Sequence, residues 1–493
     1  MIKLSAEYQG KLLCEAAALP LPCGGRRKCG NCRVLARGAL EPAGPEERKI
    51  LENNQIPPPA GYEWRLACFC RIKGEAELLL PERIALKEQR FEELPEYDGN
   101  AVDSCGLAVD VGTTTITMQL FRFADHLRIA TVHEMNRQSA YGADVLSRIA
   151  TGKHRELSKC LHEQLRDMLR QSGVAPKSVS RAVITGNSAM LHYIAALNPD
   201  VLGVYPFAPR SLFGTEILAD WLPKAKAYLP PCASAFVGAD AICGAYATRL
   251  QQRGNALLID VGTNGEMIFN ANGRLLGCSV AAGPAFEGAE ISMGMPALPG
   301  AVDRVWGAAG RLCWHSIPGA AVRGICGTGL LGALRFFLER GTIDRAGTIV
   351  GMDEDPYLIW NGDAPSLWLG DSGIVVTQDD VRKLQQAKAA VAAGIIALLQ
   401  YSGKAKKEIK KLFFAGGFGG ELAPEDAAAI GMMPVEMVRI AESVGNCALQ
   451  GAARLLFSTR ERAVAEQIAK SIEVLPLATD EVFQNEFINA MSF

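Results

Sequence analysis

Two short stretches of this chain repeat one pattern, an apolar run ending in Asp and followed by Gly-Thr, and that repetition limits the folds open to it. The first is Leu107-Ala108-Val109-Asp110-Val111-Gly112-Thr113-Thr114-Thr115, and the second is Leu257-Leu258-Ile259-Asp260-Val261-Gly262-Thr263-Asn264-Gly265-Glu266. Each reads as a buried strand, a tight turn that needs glycine, and an antiparallel return strand. Such a turn lets backbone N–H groups face a phosphate, because glycine has no side chain to block the approach. Threonine hydroxyls add donors, and an Asp at the strand's end can hold Mg²⁺ directly or through water. Either copy alone would pass for an ordinary hairpin. Two copies, with Asp110 and Asp260 in matching places, predict a duplicated domain that grips one nucleotide from both sides.

At 493 residues the chain is too long for one core, so two or more domains are expected. A net charge of −2 argues against general nucleic-acid binding, which wants a basic surface. No apolar run reaches the roughly 18 residues of a membrane span; the nearest, Ala389 to Leu399, reads as a buried helix. Glu15 interrupts the one apolar segment near the N-terminus that a signal peptide would need, so the expected location is the cytoplasm. Fourteen cysteines in a reducing compartment do not make a disulfide framework, and a cluster among them points to metal.

That cluster is Cys23, Cys29 and Cys32, a C-x5-C-x2-C array on a Gly-rich loop, with Cys68 following in Arg65-Leu66-Ala67-Cys68. Three thiolates on one loop and a fourth from a distant segment is how a plant-type [2Fe–2S] cluster is held. The loop glycines let backbone wrap the cluster and offer N–H groups to its sulfurs, which tunes the potential. Zinc is the competing metal, although Cys68-x-Cys70 is a poor second knuckle. Cys70 competes with Cys68 for the fourth position. Cys14, on an expected amphipathic helix from Lys11 to Ala18, reads as a core thiol. Residues 83–104, rich in charge and without sustained periodicity, read as a linker, helical at first (Ile84 to Glu93) and then extended.

The remaining chain divides into halves, 105–253 and 254–493, each opened by one of the two loops. In the first half, Gln138 and Asp144 are polar groups near a loop that enters a helix, and either could orient an attacking water; Asp144 is preferred. The alternative for Asp144 is a carboxylate favoured by the helix dipole. Asn187 and Asp240 read as helix caps, with a Mg²⁺-facing role the alternative for Asp240. In the second half, Asn272-Gly273 marks a hairpin. Ala281 to Gly288 is a small-residue loop carrying one carboxylate, Glu287, and Gly327 lies in a Gly-rich approach to a helix, a candidate anion site. Thr377 and Asp379 are expected caps of a long helix ending at Ser402, and Leu412 to Gly419 is an apolar strand ending in glycines.

The two Asp-Gly-Thr loops resemble the phosphate loops of the actin-like ATPase superfamily. That resemblance implies an RNase H-like duplicated α/β domain binding ATP with Mg²⁺. Asp110, Asp144, Asp260 and Glu266 would be the catalytic carboxylates. Gly112, Thr113, Thr114, Thr115, Gly262, Thr263, Asn264, Gly265 and Gly327 would meet the phosphates, with Gly416, Gly417 and Phe418 against the adenosine. Residues 1–82 are similar to the β-grasp [2Fe–2S] ferredoxins, which favours Cys68 as fourth ligand beside Cys23, Cys29 and Cys32. The whole is then an α+β multidomain protein. A ferredoxin module followed by Gly-Thr-Asn-Gly-Glu and Ala-Ala-Gly-Pro-Ala-Phe-Glu-Gly resembles the reductive activators of corrinoid proteins. The resemblance implies a corrinoid protein of a methyltransferase system as partner, an external low-potential electron donor and a homodimer. It also implies ATP-coupled transfer of one electron to Co(II), giving Co(I). An electron donor to another low-potential enzyme and a small-molecule kinase are the rival readings.

Overall fold

The computed structural model describes residues 2–16, 33–51, 61–79, 94–99, 104–142, 144–308, 310–351, 354–361, 364–416 and 422–493. The chain divides into two compact units, residues 1–90 together with 319–321, and residues 91–318 together with 322–493. Among the described residues no helix is long and apolar enough to cross a membrane.

In the first unit β1 (Ile2–Leu4), β2 (Arg33–Leu40), β3 (Glu63–Leu66) and β4 (Ile72–Leu79) form one sheet in the order β1-β4-β2-β3, every pair antiparallel. Its core is made by Leu4, Leu13, Val34, Ala36, Leu66, Ile72 and Leu78. Arg65 is buried and held by both carboxylate oxygens of Glu47 at 3.0 Å, and Glu47 also accepts from the Leu66 N–H at 2.8 Å. Cys14 is buried, as expected of a core thiol, on a helix that is described from Leu13 to Ala16.

The second unit contains two six-stranded sheets of matching design. In the first, β5 (Cys105–Val111), β6 (Thr115–Arg122) and β7 (Leu127–Met135) are antiparallel neighbours, and β8 (Val179–Gly186) and β10 (Lys226–Leu229) follow parallel on the other side of β5, with β9 (Thr215–Leu218) at the edge. In the second, β11 (Ala256–Val261), β12 (Gly265–Ala271) and β13 (Arg274–Val280) are antiparallel. The strands Lys411–Ala415 and Ala441–Gly445 follow parallel beyond β11, and Ile472–Val474 closes the far edge. The same three-strand meander plus two parallel strands occurs twice, as the repeated motif predicts.

Strand alternation decides where the two Asp side chains go. Leu107, Val109 and Val111 enter a core with Leu157, Leu161 and Leu165 of the amphipathic helix His154–Gln171, whereas Ala108 faces the other way. Leu257, Ile259 and Val261 likewise enter the second half's own core, whereas Ala256 and Leu258 join the same group as Ala108. That shared layer includes Ala241, Ile242 and Cys243 of one helix (Ala239–Ala247) and Cys447, Leu449 and Ala452 of another (Cys447–Phe457). By register, Asp110 follows Ala108 and Asp260 follows Leu258, so both acids leave their strands on the shared side.

The helix expected over Ile84 to Glu93 lies outside the described residues, and the end of the linker, around Tyr97 and Asp98, is bound to the second unit. Tyr97 stacks on Phe123 with centroids 3.7 Å apart, and Asp98 accepts from Arg181 Nη1 at 2.8 Å and from the Thr459 N–H and hydroxyl at 2.6 and 2.7 Å. The long helix Gln378–Ser402 is capped by Thr377 in a reciprocal pair with Asp380, while Asp379 pairs with Lys383 at 2.8 Å. A capping box wants its acid three residues past the cap, which selects Asp380 over Asp379.

Candidate functional site

Both Asp-Gly-Thr turns close by the same device. The Gly112 N–H bonds the Thr115 carbonyl at 3.0 Å, and the Gly262 N–H bonds the Asn264 carbonyl at 2.9 Å. A Cβ at Gly112 would lie 2.6 Å from the Thr115 carbonyl oxygen, so the first turn admits no larger residue without opening. Asn136 braces it from behind, its side-chain amide on the Gly112 carbonyl at 2.9 Å and its N–H on the Thr114 carbonyl at 2.8 Å. Asn187 caps its helix by accepting from the Met190 N–H at 3.0 Å, and its amide also donates to the Thr113 hydroxyl at 3.0 Å. Arg148, fully buried, donates to the Thr113 carbonyl at 2.8 Å and the Gly142 carbonyl at 2.9 Å. Burial lowers its pKa, but the guanidinium still sets a positive charge against the back of the first loop.

Four carboxylates face one another across the halves. Asp260 and Glu266 are directly paired residues on β11 and β12, in the places that Asp110 and Thr117 take on β5 and β6. Burial pushes Asp110 up to about 7, with the charge of Asp240 adding and a bond from Asn446 opposing. It pushes Asp260 up to about 8, with Asp240 and Asp110 adding, and Asp240 up to about 6. Glu266 is raised well above its ordinary value by burial and by repulsion from Asp240 and Asp260. Like charges directly opposed on a sheet destabilise it, so this arrangement favours a bound cation. Among the described residues no three acidic, Cys or His side chains converge closely enough to hold a metal by themselves.

Asp240 is therefore more than a cap. Gly238 occupies the N-cap position of its helix; the Asp240 carboxylate accepts the next N–H, of Ala241, at 2.8 Å and faces the other three acids. Gly416 sits with φ +89°, where a Cβ would lie 2.5 Å from Asp260 Oδ1 and 2.8 Å from the Val261 carbonyl oxygen. Gly417 and Phe418 lie outside the described residues, as do Cys23, Cys29 and Cys32. Cys68 is buried in the turn leaving β3, and Cys70, also buried, turns its thiol to the Arg71 carbonyl at 3.9 Å.

Other sequence candidates have local partners, and Gln138 also accepts from Arg148 Nη1 at 3.4 Å, the residue that holds the Thr113 carbonyl. Asp144 caps the helix Val145–Ala150, accepting from the Ser147 N–H at 2.8 Å in a reciprocal pair with that residue. Gln138 is buried, with its amide on the Leu157 carbonyl at 3.0 Å. Gly327 opens the helix Gly327–Arg340, where Gly329 and Gly332 allow close packing: Cβ atoms there would lie 2.2 Å and 2.5 Å from the Val302 and Val305 carbonyl oxygens.

Two residues that received no role from the sequence are central. Glu287 accepts from the Thr114 hydroxyl at 2.6 Å and from the Thr263 hydroxyl at 3.3 Å, so one carboxylate joins both loops. Asn446 caps the helix Cys447–Phe457 through the Leu449 N–H at 2.8 Å and gives its amide to Asp110 Oδ2 at 2.7 Å. The only sequence signal was the isolated carboxylate in a small-residue loop and the Gly-Asn pair ahead of a helix.

Residues 254–493 match the family described as the C-terminal domain of RACo, the ASKHA domain, and residues 105–253 match the RACo middle region. The chain is 29% identical over 416 residues to the corrinoid activation enzyme RamQ of Eubacterium limosum, covering 78% of this chain and 69% of that protein. It is 27% identical over 435 residues to a [Co(II) methylated amine-specific corrinoid protein] reductase of Methanosarcina barkeri, covering 79% and 77%. The solved structure of a reductive activator for a corrinoid, iron-sulfur protein superposes with a TM-score of 0.74 at 26% identity, covering 99% of this chain and 96% of that one.

Proposed function

The chain belongs to the RACo family, the reductive activators of corrinoid proteins, and from that premise we propose that it uses ATP to drive one electron from a [2Fe–2S] cluster onto the Co(II) of a corrinoid protein. The product, Co(I), is the nucleophile that accepts methyl groups in a methyltransferase system. The observation that carries this reading is the meeting of four acids and two Asp-Gly-Thr loops from both halves of one unit, within a chain related over most of its length to corrinoid activators.

Asp110, Asp240, Asp260 and Glu266 would face a nucleotide-bound Mg²⁺, through its waters, and supply the negative charge it needs. The backbone N–H groups of residues 113–115 and 263–265, next to the Gly112 and Gly262 N–H groups that close the turns, take the phosphates, and Arg148 adds positive charge behind the first loop. Gly416 is the described member of the segment proposed to meet the adenosine, with Gly417 and Phe418 next in sequence. The cluster, when bound, supplies a one-electron store, and Cys23, Cys29, Cys32 and Cys68 would hold it. The antiparallel sheet of the first unit, with Cys68 on a turn tied down by the Phe69 and Cys70 N–H groups to the Leu66 carbonyl at 2.8 and 3.0 Å, supports a β-grasp ferredoxin module.

ATP is needed for an energetic reason. Plant-type clusters lie near roughly −400 mV, and each ~59 mV of unfavourable one-electron gap lowers the yield about tenfold. Nucleotide can close such a gap only by favouring one state of the partner over another. An external low-potential donor would be needed to re-reduce the cluster for a further transfer. Asp260→Ala should abolish ATP-dependent Co(I) formation while leaving the cluster's visible absorbance unchanged; undiminished activation by this variant rejects the proposal.

A further inference from the structure

The geometry points to Glu287 as the carboxylate that positions and deprotonates the attacking water in ATP hydrolysis, an inference that rests on the nucleotide site proposed above. Glu287 ends the short turn Pro284–Glu287, which is fixed on both sides. Ahead of it, the Gly283 N–H bonds the Thr263 carbonyl at 2.9 Å, which ties the turn to the second loop. Behind it, Gly288 has φ +78°, and a Cβ there would lie 2.5 Å from the Met295 carbonyl oxygen, while Ala285 and Phe286 are buried. The backbone of Glu287 is thus held on both sides, and its carboxylate is held by the Thr114 and Thr263 hydroxyls.

Its oxygens lie between the loops. Oε2 is 2.6 Å from the Thr114 hydroxyl and 3.3 Å from that of Thr263, and Oε1 is also 3.3 Å from Thr263. Oε1 would stand 3.4 Å from a Cβ built on Gly262, on the open side of the second turn. A terminal phosphate held by both loops would turn its reacting face toward these oxygens, with one water between them. The rival carboxylates have other employment. Asp144 is committed to the Ser147 N–H, and Asp110, Asp240, Asp260 and Glu266 are buried and repel one another, the four acids assigned above to a nucleotide-bound cation. An acid close to a divalent cation is a weak base.

The step balances simply. The water oxygen forms a bond to the γ-phosphorus as the bond from that phosphorus to the β–γ bridging oxygen breaks, and ADP leaves with that electron pair. The water proton passes to Glu287 and from there to the departing phosphate or to solvent.

The test compares full-length wild type, Glu287→Gln and Glu287→Asp for Mg²⁺-dependent ATP turnover, and for Mg·ADP affinity by calorimetry. Gln keeps an oxygen for the Thr114 hydroxyl but cannot take a proton. Loss of a general base lowers kcat by about 100-fold or more. We therefore expect that loss in Glu287→Gln with Mg·ADP affinity held within about threefold, and an intermediate kcat in Glu287→Asp. A Glu287→Gln kcat within about threefold of wild type overturns the inference and leaves Glu287 a clasp between the loops. If Glu287→Gln also loses Mg·ADP binding, Glu287→Asp decides. A kcat lowered about tenfold with binding kept supports the role, and an unchanged kcat overturns it. Wild type that binds Mg·ADP and never turns over ATP overturns the hydrolysis reading itself, and this inference with it.

Discussion

Asn446 and Asp110 are 336 residues apart in the chain, and the amide of the first lies 2.7 Å from the carboxylate of the second. Asn446 caps a helix of the second half, and Asp110 ends the first strand of the first half. The bond therefore joins the helix start of one half to the acid that ends the first Asp-Gly-Thr strand of the other. It is also what opposes the rise of the Asp110 pKa.

Asn446→Ala removes the cap and this bond together. Losing the cap costs about 1 kcal/mol, and leaving Asp110 without its donor adds to that. The expected result is a loss of about 2 kcal/mol of stability in denaturant titration and weaker Mg·ADP binding. The pH at which binding is half lost should also move upward, because Asp110 holds its proton more tightly. A variant with wild-type stability and an unmoved pH profile contradicts the role given to Asn446.

The acid cluster makes a signed prediction about pH. Asp240, Asp110 and Asp260 are pushed up to about 6, 7 and 8, from an unfolded value near 4. Between those limits the folded, cation-free protein binds more protons than the unfolded chain. The contribution of these groups to stability is thus complete below about pH 4 and is lost as pH rises through 6 to 8. The melting temperature without Mg²⁺ should fall from about pH 5 to pH 8 and level off above that, and Mg·ADP should restore it. Asp260→Asn should raise the cation-free melting temperature at pH 8 and weaken Mg·ADP binding by tenfold or more. Melting temperatures that do not change over this range, with or without Mg·ADP, count against a cation-seeking cluster.

The assignment of Cys68 over Cys70 is settled by metal content. Anaerobically reconstituted Cys68→Ser, like Cys23→Ser, Cys29→Ser and Cys32→Ser, should lose or alter the visible absorbance and hold less iron and sulfide. Cys70→Ser, whose thiol faces the Arg71 carbonyl in the core, should keep two irons per chain and lose mainly stability. The reverse result moves the fourth ligand to Cys70.

Local signals carried much of this architecture. Strand alternation around Asp110 and Asp260 gave both hairpins and their duplication, because a glycine turn between apolar strands depends on neighbours in the chain. The Asn272-Gly273 turn and the helix ending at Ser402 were legible for the same reason. What the sequence concealed is what depends on contacts between distant segments. Glu287 lies 173 residues from Thr114, and no spacing rule links them. Asp240 looked like a cap because Gly-Ala-Asp opens a helix; only the packing of that helix against the second half turns its carboxylate toward Asp260. The stretch around Tyr97 and Asp98 is charged and aperiodic, and its stacking on Phe123 and bonds to Thr459 come from partners far along the chain.

The most direct test is anaerobic absorbance spectroscopy of a Co(II) corrinoid protein from a methyltransferase system, mixed with the reduced, iron–sulfur-reconstituted chain. With Mg·ATP the Co(II) spectrum should give way to that of Co(I), and without nucleotide little Co(I) should form. Equal conversion with and without Mg·ATP, or none under either condition by a chain that binds both its cluster and its nucleotide, would contradict the account.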